Sequence, residues 1–324
     1  MRDPGRVIVG IDSHSASPAA LQLGVQLARG LGSALECFVP VYNPHVSHAH
    51  FETREALQCA RDRLVRHHLD HINGLVASLG SQVPIECQAA WDHPFEEALI
   101  RRVLEQGAGL LIAELGTEGE AAPRRLSSSQ WQLVRHCPVP VLLSRGTPWR
   151  ESPIVVAAVD PTGRHGRLDA RILQLAELLA RSVAGTVHAF HAWERSLRAR
   201  IGERDELLLP DLPEGEMERR HREAVYAVLG AAAAAPARVA FAEGLPEITL
   251  PAYCQQHSVD LVVMGVIARN PFGRIFIGST AERVLDRLPC DLLAVKPEGF
   301  RTPISRERWP REEAAGPPLG VPGI

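Results

Sequence analysis

The residues best suited to chemistry lie in Val262–Glu282, VVMGVIARNPFGRIFIGSTAE, where an apolar strand ends at Gly265 and a loop runs on to Gly278-Ser279-Thr280. A glycine at a strand end lets a ribose or phosphate approach the backbone without meeting a side chain. Gly-Ser-Thr opening a helix offers unpaired amides and the positive end of the helix dipole to an anion, with two hydroxyls as further donors. Arg269 and Arg274 stand in the intervening loop, where their charge would neutralise phosphate. This set of residue types points to holding a phosphorylated ligand. Some residues of the stretch also have a plainer account: Ser279 and Glu282 have the spacing of a capping box, and Met264 suits core filling.

Other reactive residues form weaker patterns. His45, His48 and His50 fall in a loop, and His67, His68 and His71 on a long helix, where His67 and His71 share a face. No cysteine or carboxylate of metal-site spacing accompanies them, so no metal site is assigned. The chain has no G-x-S-x-G elbow, no HExxH and no GxxxxGK[ST] loop, which leaves hydrolase chemistry without a candidate nucleophile or metal. The run Arg219–Arg222 (RRHR) precedes Glu223 and the alanines Ala231–Ala235, and reads as a solvated helix face.

Composition narrows the class. The 324 residues suffice for two domains, and a net charge of -3 against 35 Lys+Arg gives no basic field, so direct nucleic-acid binding is not expected. The six cysteines are scattered without a CxxC pair, the first strand begins almost at once, and no apolar run approaches the roughly 20 residues of a membrane span. Reduced thiols, no membrane partner and a cytoplasmic location are the expectation.

The elements that must position the site come in two copies. Val7–Asp12 (VIVGID) is echoed about 150 residues later by Ile154–Asp160 (IVVAAVD), Glu36–Tyr42 by Val187–Trp193, Pro94-Phe95-Glu96 by Pro246-Glu247-Ile248, and Cys137–Leu143 by Leu288–Ala294. Within each copy, short apolar runs alternate with amphipathic segments, the pattern of βαβ units on a parallel sheet. Strands are predicted near 6–11, 35–41, 85–90, 109–114 and 139–143, with helices near 17–30, 51–79, 95–106 and 127–136. In the second copy the strands fall near 153–159, 186–192, 237–242, 260–264 and 291–295, with helices near 167–183, 214–234, 247–257 and 279–288. The domains are thus 1–147 and 153–299, joined by the Pro-bearing linker Gly146–Pro153. Residues 300–324, rich in Pro, Gly and charge, are expected to form a mobile tail.

Two fused units of this kind, closing on Gly278-Ser279-Thr280, resemble the universal stress protein family, and in particular its tandem, E-type members. The family's motif G-x2-G-x9-G-[ST] reads here Gly265, Ala268, Gly278, Ser279, with alanine at the second glycine. Trp91–Glu96 (WDHPFE), Ser128–Pro138 (SSQWQLVRHCP) and Cys290–Phe300 (CDLLAVKPEGF) extend the resemblance across about residues 6–299. It implies two Rossmann-like α/β domains of the adenine nucleotide alpha hydrolase-like kind, each with a five-stranded, mostly parallel sheet of order 3-2-1-4-5. It also implies pairing of the two fifth strands into an intramolecular pseudo-dimer, alongside a possible homodimer. The nucleotide would lie at the carboxyl ends of strands 1, 2 and 4, the topological switch point. By the family pattern Asp160 sits beside the adenosine, Ala192 lines the base pocket and Met264 flanks it. Asp160 has an independent reading as a turn residue before Pro161.

The expected ligand is ATP or ADP, with Mg2+ accompanying the nucleotide, and the expected role is a stress-response binding protein that changes conformation and is not an enzyme beyond slow ATP hydrolysis. At Ala268 a methyl group costs on the order of 1 kcal/mol if the loop needs positive φ and little if φ is negative. Binding weaker than in relatives with both glycines is therefore expected. In the first domain Glu114, Thr117 and Ser127 replace the three glycines, although Asp12, Ser128 and Ser129 persist, so this copy is expected not to bind nucleotide in the usual manner. The alternative is a nucleotide-independent carrier or scaffold for a hydrophobic or lipid-like ligand.

Overall fold

Strand residues bury their side chains on alternate sides, as a sheet covered on both faces requires. In the computed structural model, which describes residues 5–12, 18–48, 51, 53–115, 126–161, 166–194, 215–269 and 275–307, Val7 and Val9 enter one core and Ile8 the other. Likewise Leu261 and Val263 part from Val262 and Met264.

The first half contains β1 (Val7–Gly10), α1 (Pro18–Leu31), β2 (Leu35–Val41), α2 (Pro44–His48), α3 (Arg54–Ser78), β3 (Ile85–Trp91), α4 (Phe95–Gln106), β4 (Leu110–Glu114), α5 (Ser128–His136) and β5 (Val141–Ser144). The second half contains β6 (Ile154–Ala158), α6 (Gly166–Ser182), β7 (Thr186–Trp193), α7 (Glu216–Ala232), β8 (Arg238–Glu243), α8 (Pro246–His257), β9 (Leu261–Gly265), β10 (Ile267–Arg269), β11 (Ile275–Ile277), α9 (Ser279–Leu285) and β12 (Asp291–Val295). One ten-stranded sheet has the order β3-β2-β1-β4-β5-β12-β9-β6-β7-β8, which is 3-2-1-4-5 in each half. Within a half the strands are parallel; between halves β5 and β12 pair antiparallel, Leu143 opposite Leu292. The strands of the two halves therefore point in opposite directions, and their carboxyl ends open at opposite edges of the sheet.

Helices α1, α3, α6 and α7 cover one face, and α4, α5, α8 and α9 the other. Helix α1 shows why: Ala20, Leu21, Gly24, Leu27 and Ala28 form one buried stripe at helical spacing. By contrast α3 buries a single residue, Ile72, and starts on a cap in which the Thr53 hydroxyl accepts from the Ala56 amide. Its exposed Gly74 has nothing within 4 Å of where a Cβ would stand. Gly74→Ala should thus raise stability by about 1 kcal/mol through helix propensity alone; an unchanged urea midpoint would contradict this.

Three features differ from the sequence expectation. The short helix α2 forms where a loop was expected, because the Asn43 side-chain oxygen accepts from the amides of His45 and Val46. The loop after β9 is an antiparallel hairpin, β10 paired to β11 with Ala268 opposite Phe276. In the supposed tail, Phe300 and Ile304 are half-buried against the core under α4, α5, α8 and α9. There the Phe300 ring lies 5.3 Å from the buried Lys296 ammonium, whose pKa burial pushes down to about 8. The order of the chain thus continues past residue 299, while 308–324 lie outside the described residues.

The linker is held by two acids of the second half. Asp291, at the start of β12, accepts from the Arg145 amide at 2.7 Å and the Trp149 indole N–H at 2.8 Å. Asp260 accepts from the Ile154 amide at 2.8 Å and from the Arg150 guanidinium.

Candidate functional site

The carboxyl ends of β6, β7 and β9 surround a cavity of about 670 Å³, a size typical of small-molecule sites. It lies where the strand order reverses between β6 and β9, the position at which open α/β sheets hold ligands. Of the residues singled out by sequence, Asp160, Ala192, Met264, Gly265, Gly278 and Thr280 all line it. Asp160 is fixed by its own amide, which donates to the Asp169 carboxylate of α6 at 3.0 Å. At the far wall the Gly278 amide donates to the Val266 carbonyl at 3.2 Å, closing the base of the β10–β11 hairpin.

The structure gives several residues a different reason from the one read in the sequence. A Cβ at Gly265 would stand 2.6 Å from Leu168 Cδ2, so the missing side chain makes room for α6 against the sheet. The capping box does not open α9: Gly278 is the N-cap, with no side-chain cap bond, and Ser279 is already the first helical residue. Ala268 sits in extended backbone opposite Phe276, the negative-φ case in which alanine costs little. The glycine of the family pattern is thus not demanded there by backbone strain. Arg269 ends β10, and its proposed charge neutralisation rests on a side chain outside what is described; Arg274 lies outside the described residues altogether.

Sequence reasoning missed one wall of the cavity. His191 on β7 is 2 % exposed, with Nδ1 2.9 Å from the Val159 carbonyl and Nε2 2.8 Å from Nδ1 of His221 on α7. The His221 ring lies nearly parallel to those of His191 and Trp193, with centroids 5.0 and 5.7 Å away. Burial, then proximity to His191, holds the His221 pKa below the usual histidine range, with Asp160 opposing. The three arginines around it, Arg219, Arg220 and Arg222, pair with Glu216, Glu223 and Glu218 as a solvated face should. His221 was assigned to that face but turns inward. Its signal was the i, i+4 series Met217, His221, Val225, Leu229, in which Val225 and Leu229 are buried.

The first half shows the corresponding position narrower. Its cavity measures about 310 Å³ and is lined by Asp12, Glu114, Ser127 and Gln130 among others. Here a capping box does form: the Ser127 hydroxyl accepts from the Gln130 amide, and the Gln130 side chain accepts from the Ser127 amide while donating to the Glu114 carbonyl. The Ser127 amide at this position is thus spent on the protein itself. Thr117 lies outside the described residues. Among the described residues no group of three or more His, Cys, Asp or Glu side chains could hold a metal ion.

Fold and site define a tandem, doubly wound α/β protein with a larger cavity at the switch point of its second half and a smaller one at the corresponding position of its first. The chain belongs to the universal stress protein family, whose model matches residues 4–145 and 153–296. It is similar to universal stress protein E of Escherichia coli K12, 25% identical over 306 residues, covering 92% of this chain and 96% of that protein. Among solved structures it shares its fold with a functionally unknown protein from Pseudomonas aeruginosa PAO1 (22% identity, TM-score 0.67, covering 90% of this chain and 92% of the other). A universal stress protein from Archaeoglobus fulgidus shares it as well (15% identity, TM-score 0.62, covering 91% and 99%).

Proposed function

We propose that this universal stress protein takes up ATP or ADP in its second domain, with Mg2+ accompanying the nucleotide, and responds to it by conformation. The observation that carries this reading is the asymmetry of the two sites. The second has the larger cavity with a side-chain-free N-cap at its edge, and the first is smaller with a capping box at its edge. The bound nucleotide would bias the hairpin from Ile267 to Ile277, altering a surface that partners or a second copy could read. Its role in stress survival is binding, with ATP turnover slow at most. The six free thiols, and the lack among the described residues of any helix long and apolar enough to cross a membrane, support a cytoplasmic setting.

A second reading is favoured by the cavity wall itself, which includes Leu168, Ile172, Phe190, Leu250 and Val284 beside the acids Asp160 and Glu194. Such a lining suits an apolar ligand carried without nucleotide. Native mass spectrometry of freshly purified protein separates the two. Adduct masses of ATP or ADP support the first reading, and a lipid-type mass in their place supports the second.

A further inference from the structure

The hydrogen bonds along the wall formed by His191 and His221 constrain which nitrogens carry protons. The Val159 carbonyl can only accept, so His191 Nδ1 bears a hydrogen. With one proton on each ring, the hydrogen bond between His191 Nε2 and His221 Nδ1, 2.8 Å apart, is donated by His221. His221, kept neutral by burial, is left with a bare Nε2. Its ring packs beside those of His191 and Trp193 and lines the cavity, with no other hydrogen-bond partner among the described residues. Beside the acids Asp160 and Glu194, the cavity is thus presented with an imidazole acceptor whose tautomer and orientation are set by a second histidine behind it.

We propose that His221 is the specificity-determining residue of this cavity, accepting a hydrogen bond from an exocyclic amine on an aromatic base and disfavouring a base with an oxo group at that position. This assignment rests on the nucleotide reading above. An amine offers its N–H to the bare Nε2. An oxo group would set one lone pair against another and leave a desolvated acceptor on each side, a loss worth roughly tenfold to a hundredfold in affinity. His191 acts as a positioning residue, since it does not line the cavity and works through His221.

The test is titration of the full chain with ATP and with inosine triphosphate, the 6-oxo counterpart, in the native protein and two variants. The native chain is expected to prefer ATP at least tenfold. In His221→Asn the amide nitrogen stands near the place of Nδ1 and still donates to His191, but no acceptor replaces Nε2, so the preference should collapse while thermal stability is retained. In His221→Gln the amide oxygen stands near the place of Nε2 and should keep part of the preference. Equal binding of the two nucleotides by the native chain, or an undiminished preference in His221→Asn, overturns the assignment and leaves the nucleotide reading standing. Binding of neither nucleotide by the native chain overturns both.

Discussion

Gly30→Ala is expected to destabilise the protein by about 3 kcal/mol, at the upper end of ordinary overpacking. A Cβ at Gly30, near the end of α1, would stand 1.8 Å from the Ser182 carbonyl oxygen and 2.5 Å from its carbon at the end of α6. Both contacts are backbone, so no side-chain rotation relieves them, and the two helices belong to different halves of the chain. The substitution therefore pushes the halves apart at the point where α1 meets α6, or strains the β5–β12 pairing beneath. Helix propensity works the other way, by about 1 kcal/mol in favour of alanine. Gly74→Ala carries that same gain with no clash, and the difference between the two variants in urea denaturation isolates the helix contact. Equal stability of the two would show that α1 and α6 do not pack this closely.

The second large effect belongs to Asp291, which is 2 % exposed and ties the linker to the second half through Arg145 and Trp149. Burial raises its pKa from 3.8 to about 6, against the pull of the Arg145 amide, the Trp149 indole and the Ser144 hydroxyl. A carboxyl whose folded-state pKa is raised favours its protonated form in the native protein. Its contribution to stability is full below the unfolded value and is lost as pH rises through about 6. The unfolding free energy of the native chain minus that of Asp291→Asn should therefore fall by about 2 kcal/mol between about pH 4 and pH 7. Taking the difference cancels the other titrating groups. A difference independent of pH would mean that the carboxylate is not held out of water. Asp291→Ala should be destabilising throughout this range, since it leaves the indole N–H and the Arg145 amide without their acceptor, at about 1–3 kcal/mol each.

The sheet was legible because its strands are buried on both faces. Runs such as Val7–Gly10 and Leu261–Gly265 have no polar interruption, and the Asp that follows β1 and β6 marks the repeat. Elements held by a few local bonds were not legible in this way. Helix α2 is announced by Asn43-Pro44, a cap followed by a first-turn proline, a signal too short to separate from a turn. The arms of the β10–β11 hairpin span three residues each, fewer than alternation needs to declare itself.

The site divides along the same line. Residues at strand ends, such as Asp160 and Met264, could be located because the strands could. Gly265 could be located but its reason could not, since a glycine does not say which neighbour needs the space; here it is Leu168. His191 and His221 were hidden because they meet only in three dimensions, one on a strand and the other on a helix 30 residues further along. Only the apolar stripe around His221 hinted that it faces inward.

On the proposed reading, the cavity at the switch point of the second domain binds an adenine nucleotide and its counterpart in the first domain does not. Calorimetric titration of the full chain with ATP up to millimolar concentration tests it most directly. The expected result is a saturable isotherm with a single nucleotide per chain. The absence of a saturable signal at millimolar ATP would contradict the binding claim, and a stoichiometry of two per chain would contradict the reading of the first site.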